Sequence, residues 1–373
     1  MILRRIATRT FRNLADSEIE LHPNANILVG DNGQGKTNLL EAIYFLATTK
    51  SFRTTRLAHL PRLGSTTTFA AGEVEDAAGI VRSISAGISL GAERKRELLV
   101  NRQRTTLHDY LGFLPVFAYS AARLAIVRGG PDERRRFLDR GIASIRGGYL
   151  RDLARFSRAL KQRNALLQQG GAAARRDLDA WDAELVDAAL PVARARAEYS
   201  GALAQETARI LTEHAYHVSG LRIAYQPSGF EEGLETDAGL AALRALRRRE
   251  LAVGFTLAGP HRDGLDITID GAPAAEILSS GEVKMTVLFL KLAKIELYRA
   301  RAGESPLFLL DDVDAELDLG IIERLLQHLI GRIQLVTTSP KDAFFDRFSM
   351  GPNRRFALSG GRVEPVAPIM GQI

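Results

Sequence analysis

The chain of 373 residues has no cysteine. That excludes disulfides, thiolate metal sites and a cysteine nucleophile, and it suits a reducing compartment. No apolar run approaches the roughly 18 residues of a membrane-spanning helix. The most apolar stretch, around Phe289-Leu290, is interrupted by Lys284, Lys291 and Lys294, so no membrane partner is expected. Met1-Ile2-Leu3-Arg4-Arg5 is followed by no apolar core of signal-peptide length, and cytoplasmic residence is the expectation. Internal repeats and low-complexity tracts are also missing. Few aromatics stand among the basic residues, so a base-stacking groove for single strands is not indicated. The bulk composition is that of an ordinary globular protein, 46% hydrophobic and 25% charged, with length for two or three domains' worth of core. The formal charge of +6 and pI of about 9.6 favour polyanionic partners without choosing among them.

Against this background one segment stands out. Gly30-Asp31-Asn32-Gly33-Gln34-Gly35-Lys36-Thr37 fits G-x-x-x-x-G-K-[ST] without a mismatch. An apolar strand, Ala25-Asn26-Ile27-Leu28-Val29, precedes it, and a helical pattern through Leu39, Leu40, Ala42, Ile43, Phe45 and Leu46 follows. The glycines let backbone N–H groups turn inward, and the helix N-terminus adds partial positive charge. Lys36 is then the group for the β- and γ-phosphates of ATP, and Thr37 the hydroxyl for Mg²⁺. The plainer alternative, a glycine turn before an ordinary helix, leaves the lysine and threonine without a purpose.

Further along, Leu307-Phe308-Leu309-Leu310-Asp311-Asp312 is a buried apolar strand ending in carboxylates, a Walker B pattern. Asp311 is placed to hold Mg²⁺ and Asp312 to orient or deprotonate the attacking water. The alternative is a polar strand end with Asp314 or Asp318 capping the next helix. Leu278-Ser279-Ser280-Gly281-Glu282 opens a long helical pattern. Alone it reads as a Ser cap with Glu282 closing a capping box. Beside the two Walker motifs it resembles the LSGGQ-type signature of ABC-type ATPases, which closes over the γ-phosphate held by a second subunit.

The pattern between these motifs sets the expected organisation. Strands dominate to about residue 125, with a hairpin turn at Asn101-Arg102-Gln103. From Asp132 the period turns helical through Tyr149, Leu153, Phe156 and Leu160. Gln168-Gln169-Gly170-Gly171 breaks the run, and Pro191 either kinks the second helix or starts another. No sustained heptad argues for a long coiled coil. From about Leu251 the α/β pattern returns, ending in a hairpin around Gly360-Gly361. The fold class expected is therefore α/β: an ABC-type P-loop ATPase head, residues 1–125 plus 251–373, interrupted by a mainly helical arm, residues 126–250. Roughly 240 residues separate the P-loop from the signature, more than one typical domain of about 100–150. That insertion resembles the SMC-like branch rather than the transporter ATPases.

Several stretches narrow the resemblance. GDNGQGKTNLLEA at Gly30–Ala42, Lys50-Ser51-Phe52-Arg53-Thr54, GGPDERRRFLD at Gly129–Asp139, TLAGPHRD at Thr256–Asp263 and LLDDVDAELD at Leu309–Asp318 together resemble the RecF family. They keep the family's order over nearly the whole chain. The resemblance implies a slow, DNA-stimulated ATPase of bacterial replication and repair. It implies an ATP-dependent homodimer on gapped or double-stranded DNA, without sequence preference. With RecO and RecR such a protein promotes RecA loading at single-stranded gaps and supports the SOS response. Carried over by motif, Gly30 to Asn38 hold the phosphates, Asp311 and Asp312 serve Mg²⁺ and water, and Ser279, Ser280 and Gly281 act on the partner's ATP. Ala315-Glu316-Leu317-Asp318 resembles the D-loop of the dimer seam. Phe11-Arg12-Asn13 matches an early family motif, with Arg12 either a phosphate or adenine contact or a surface arginine. An alternative reading keeps ATP structural and makes the arm a recruitment scaffold for proteins such as RecR.

Some positions depart from the wider pattern. Ser280 replaces the transporters' glycine, and its Cβ slightly crowds a backbone approach. Thr337-Thr338-Ser339 stands where transporters have a switch histidine, leaving Thr338 as the candidate γ-phosphate sensor. Arg123, in Tyr119-Ser120-Ala121-Ala122-Arg123-Leu124, replaces the family's usual acid. His261-Arg262-Asp263 is typical of the family without an assigned chemistry. Basic residues for a backbone-reading DNA surface are Arg94, Lys95, Arg96, Arg102 and Arg104, then Arg134, Arg135, Arg136 and Arg140, and then Arg151, Arg155, Arg158, Lys161 and Arg163. For any single one of them the alternative is a solvated, paired face.

Overall fold

The computed structural model describes residues 1–91, 94–119, 125–214, 216, 220–230, 233–312 and 318–366. In chain order it begins with β1 (Ile2–Arg9), β2 (Ser17–Glu20), β3 (Ala25–Val29), α1 (Lys36–Thr48), β4 (Thr67–Glu75), β5 (Val81–Leu90), β6 (Arg94–Val100), β7 (Gln103–Arg104), α2 (Leu107–Tyr110) and β8 (Val116–Tyr119). Helices then take over: α3 (Ala125–Arg128), α4 (Pro131–Ile145), α5 (Tyr149–Gln169) and α6 (Gly171–Glu213), followed by β9 (Leu221–Gln226) and α7 (Thr236–Val253). Next come β10 (Gly264–Ile269), β11 (Ala272–Pro273), α8 (Ala274–Ile277), α9 (Ser280–Ala302) and β12 (Leu307–Leu310). The chain closes with α10 (Leu319–Leu329), β13 (Gln334–Ser339), β14 (Asn353–Ser359) and β15 (Arg362–Pro365). None of the described helices is long and apolar enough to cross a membrane.

The chain divides into two compact units, Met1–Arg123 with Tyr298–Ile373, and Leu124–Leu297. In the first unit two sheets share a core. One is antiparallel, in the order β2-β1-β4-β5-β6-β7. Its strand β4 alternates, with Thr68, Ala70, Gly72 and Val74 turned inward, as a half-buried strand should. The Asn101-Arg102 turn between β6 and β7 takes positive φ at both residues, the type I′ geometry that matches strand twist. The other sheet runs β15-β14-β3-β13-β12-β8, parallel throughout except at β15. Strands β3, β12 and β13 are buried at every residue because parallel strands of such sheets are covered on both faces.

Helix α1 joins the two sheets into one core. From Leu39 to Ala47 every residue is buried, and its Leu39, Leu40, Ile43, Phe45 and Leu46 belong to the same apolar cluster as Leu3, Ile84, Leu309 and Val336. A helix apolar on all sides needs cover on all sides. Gly72 makes the approach possible: a Cβ there would stand 2.9 Å from Leu46 Cδ2 and 2.7 Å from the carbonyl oxygen of Arg5.

The second unit is a helical hairpin on a small sheet. Gly170, at φ 63°, breaks α5 from α6, as Gln168-Gln169-Gly170-Gly171 led one to expect. Helix α6 then runs 43 residues and passes through Pro191 without interruption. The sheet, β11-β10-β9, pairs β9 with β10 across six residues. By packing, the second boundary falls at Leu297/Tyr298 rather than at the expected 250/251. The reason is physical. β10 pairs only within this unit, Arg135 Nη1 and Arg196 Nη1 bind the main chain and side chain of Asp263, and Lys294 Nζ donates to Phe137 O. These contacts tie residues 251–297 to the helices.

The hairpin is bolted by a buried ion cluster. Arg163 is fully buried, with Nε on Asp182 at 2.7 Å, Nη2 on Glu250 at 2.6 Å and Nη1 on the Thr256 hydroxyl at 2.9 Å. Its assignment to a DNA surface is therefore corrected: a side chain closed in by two carboxylates meets no backbone phosphate. Arg163→Met leaves buried Glu250 without its cation and Asp182 with Arg247 alone, which costs about 3–5 kcal/mol. Urea unfolding of this unit, followed through the single tryptophan Trp181, should show its midpoint falling accordingly. An unchanged midpoint would mean that the cluster does not hold the hairpin.

Candidate nucleotide site

The phosphate loop leaves β3 at Val29 and enters α1 at Lys36. Gly30 has φ 146°, and a Cβ there would stand 2.3 Å from the carbonyl oxygen of Leu358 in β14, so only glycine lets the loop start this close to the sheet. Gly35 sits before the helix at φ 113°. Asp31, Asn32 and Gly33 are exposed at the tip, whereas Gly35 and Lys36 are buried. Neighbouring segments brace the loop. Asn13 Nδ2 donates to Gly33 O at 3.0 Å, Gly360 N donates to Gln34 Oε1 at 2.6 Å, and Gly361 N donates to Gln34 O at 3.1 Å. Lys36 Nζ folds back along the loop, donating to the carbonyls of Gly30 at 2.6 Å and Asp31 at 3.1 Å.

Both carboxylates follow β12, and the hydroxyl between them and the loop comes from β13. Thr37 Oγ1 donates to Asp311 Oδ1 at 3.0 Å, and Thr338 Oγ1 reaches the same oxygen at 3.0 Å. Asp312 N donates to Thr338 Oγ1 at 2.7 Å. Asp312 itself has φ 48°, a left-handed conformation that side chains rarely adopt. The Thr338 hydroxyl thus pins the backbone that aims Asp312. Burial, and then the neighbouring charge of Asp312, push the Asp311 carboxyl up to about 6, against the lowering effect of its bonds to Thr37 and Thr338. A buried carboxylate beside a second acid, with a threonine oxygen at hand, is an oxygen-donor set suited to a hard divalent cation. Mg²⁺ fits these residues.

Arg12 is not a loose surface arginine. Its Nε and Nη2 each bond Glu41 at 2.9 Å, and Glu41 is fully buried in α1. Ser51 Oγ donates to the same carboxylate. Asn38 Nδ2 donates to Asn13 Oδ1 at 2.6 Å, and Arg53 Nη1 donates to Asn38 Oδ1, also at 2.6 Å. Motif reading gave Glu41, Asn13 and Arg53 no role. The signal for Glu41 was present: a lone acid in the apolar run Leu39-Leu40-Glu41-Ala42-Ile43 must find a cation when the helix is buried all round.

The signature residues belong to the second unit. Ser279 caps α9: Glu282 N donates to Ser279 Oγ at 3.3 Å, and Ser279 N donates to Glu282 Oε2 at 2.8 Å. The capping box is real, and Ser279, Ser280 and Gly281 all remain exposed. Among the described residues, nothing lies within 4 Å of where a Gly281 Cβ would stand. Asp263 of the His261-Arg262-Asp263 triplet is buried under Arg196, Tyr225 and Ser228 N, a structural role within its own unit. Ala315, Glu316 and Leu317 of the D-loop, with Asp314, lie outside the described residues, as do Ser120 to Leu124. Asp318 stands at the N-cap of α10, where its side chain makes no cap hydrogen bond.

The geometry agrees with what the chain resembles. Residues 2–350 match the family model described as RecF/RecN/SMC N terminal domain. A DNA replication and repair protein RecF of Gloeobacter violaceus is 36% identical, covering 99% of this chain and 100% of the relative. One from an Anaeromyxobacter species is also 36% identical, at 98% and 100%. Among solved structures, the recombination mediator protein RecF with ATP, of the RecFOR pathway, superposes with a TM-score of 0.88 at 28% identity, covering 98% of each chain. An SMC head bound to the winged-helix domain of ScpA gives 0.57 at 14% identity, a likeness of fold alone. With an ABC-type ATPase head carrying both Walker motifs, the chain belongs to the RecF family of DNA replication and repair proteins.

Proposed function

We propose that this chain is an ATP-dependent DNA-binding repair protein whose nucleotide site is completed by a second copy of itself. The observation that carries this reading is the meeting of Thr37, Asp311, Thr338 and Asp312 through contacts of 2.7–3.4 Å, beside a loop in which Lys36 is buried among carbonyls. One protomer then has a phosphate grip and acidic residues but no lid. The exposed N-terminus of α9, with Ser279, Ser280 and Gly281, offers backbone donors and hydroxyls suited to a γ-phosphate. In the dimer each copy's α9 start serves the other's nucleotide.

In this site Gly30 to Asn38 wrap the phosphates, and Lys36 moves from the carbonyls to the β- and γ-phosphate oxygens. Arg12 keeps Nη1 for the nucleotide while Glu41 holds the rest of its guanidinium. Thr37 and Asp311 would hold Mg²⁺, which when bound neutralises phosphate charge. Asp312 orients water in line with the γ-phosphorus and takes its proton, as the bond to ADP breaks. Thr338 couples the two acids and senses the γ-phosphate. Turnover is slow and DNA-stimulated because half of each site comes from the partner. By kinship with the RecFOR-pathway protein, this chain works with RecO and RecR to promote RecA loading at single-stranded gaps, and supports replication and the SOS response in the cytoplasm.

DNA binds through backbone charge. Of the arginines singled out earlier, Arg104, Arg136 and Arg155 are paired with Glu97, Glu133 and Glu184, and Arg134 and Arg135 are tied to main-chain carbonyls. Arg151, Arg158 and Lys161 on α5 are exposed and, among the described residues, have no carboxylate within ion-pair distance. They are the contacts we assign to DNA phosphates.

Lys36→Ala should lose ATP binding by two orders of magnitude or more, whereas Asp312→Asn should bind ATP and persist as a dimer on DNA. Light scattering with and without nucleotide reads both outcomes, and normal hydrolysis by Asp312→Asn would remove that residue from the water-handling role. Asp311 binds metal only when deprotonated, so Mg²⁺-dependent ATP binding should weaken as pH falls through about 6. Asp312→Asn takes away one cause of the upward shift, so the acid limb should move to lower pH. Fluorescent-nucleotide titrations from pH 5 to 8 test this. Replacing Arg151, Arg158 and Lys161 together by glutamine should flatten the log–log salt dependence of DNA binding by about 2 to 3, at roughly 0.9 per lost phosphate contact. An unaltered slope would place the DNA elsewhere.

A further inference from the structure

The second unit contains a polar cavity of about 400 Å³ that the ATP chemistry does not use. That volume is within the range of small-ligand pockets. It lies at the start of α4, beside Asn164 of α5, under the segment from Phe255 to Arg262. Both ends of that segment are fixed from beneath. At one end Thr256, which is 1% exposed, takes Arg163 Nη1 on its hydroxyl and donates its N–H and hydroxyl to Asn164 Oδ1 at 2.8 and 2.7 Å. At the other end Asp263 accepts Arg196 Nη1 at 2.8 Å and Ser228 N at 3.0 Å, and its carbonyl takes Arg135 Nη1 at 2.7 Å. Two buried ion clusters, each costly to assemble, thus converge on one short wall.

The groups on that wall are held in place without being used up. Arg262 is exposed, stacks over the Phe255 ring at 5.5 Å, and among the described residues has no carboxylate partner. His261 Nε2 donates to Thr256 O at 3.0 Å, which leaves Nδ1 an acceptor. That atom is buried against the Gly259 turn and, among the described residues, has no partner. Asn164 spends its oxygen on Thr256, so its Nδ2 donors remain. Arg135 is neutralised by Asp132; Arg262 is not. The cavity therefore combines one uncompensated cation, amide donors and the N-terminal dipole of a 15-residue helix.

We propose that this cavity binds a phosphate monoester. Arg262 and Asn164 Nδ2 donate to its charged oxygens, with the start of α4 at Pro131 and Asp132 and the His261 ring forming the rest of the wall. Phe255, 40% exposed, supplies apolar surface for the group the phosphate carries. The same chemistry is presented by a free nucleotide and by the phosphorylated end of a nucleic-acid strand.

The chain has seven histidines, so histidine-selective ¹³C labelling of the full-length protein isolates His261, assigned by its loss in His261→Gln. Inorganic phosphate and deoxyadenosine monophosphate, titrated at constant ionic strength, should shift the His261 imidazole signal to saturation. Arg262→Gln should weaken that response about tenfold or more, and Arg262→Lys should restore part of it, because a cation near the phosphate is what the site requires. Arg262 belongs to neither buried cluster, so these variants fold. A 5′-phosphorylated oligonucleotide, compared with its 5′-hydroxyl twin, separates the two sources. Saturation at lower concentration by the phosphorylated strand marks a strand end as ligand, and tighter response to the mononucleotide marks a free nucleotide. A His261 signal that ignores all these probes, or that responds equally in Arg262→Gln, overturns the proposal.

Discussion

The parallel pairing of β3, β13 and β12 is the constraint on which the candidate site depends. Val29 pairs with Ser339, and Leu310 with Thr337, so three neighbouring strands end at one edge of one sheet. Each then releases a different chemical element: the glycine loop after β3, the Thr337-Thr338-Ser339 hydroxyls at the end of β13, and the acids after β12. Ligands of open α/β sheets bind at such carboxyl ends. The register also fixes distances. One residue of slip in β13 would send Thr338 to the opposite face, and both carboxylates would lose their common hydroxyl.

The two adjacent acids are made unlike by that environment. Asp311 is enclosed, with two hydroxyls on one oxygen, and its proton affinity is raised by burial. Asp312 stands in a strained backbone conformation, tied through its own N–H. Strain of this kind persists where surrounding contacts over-determine it. The pair is thereby divided into an enclosed carboxylate and a half-buried one held through its own backbone, although sequence shows only two identical letters.

Most of the architecture was legible because its signals are local. The P-loop needs a strand, glycines and a helix in immediate succession, and Asn101-Arg102 and Gly360-Gly361 announce turns by residue type. Less legible were the features that depend on distant segments. Arg163 reads as one more basic residue along α5, yet its partners lie 19 and 87 positions away. Glu41 looks like part of a motif, but its function as an anchor for Arg12 appears only when the β1–β2 turn packs on α1. The packing boundary at Leu297/Tyr298 differs from the expected 250/251 for the same reason. Residues 251–297 resume an α/β pattern in sequence, whereas β10 finds its pairing partner in β9. Pattern reports periodicity; it does not report which neighbour satisfies it.

Helix α6 has a mechanical consequence. At 43 residues and 1.5 Å per residue it is a rod of about 65 Å, so a tilt of roughly 5° at one end carries the other through about 5 or 6 Å. Pro191 lies near the midpoint of this rod. Proline has no N–H for the carbonyl four residues earlier, so the rung that would start from Asp187 is missing. A long lever with one omitted rung stores bending at a single flexure instead of spreading it along its length.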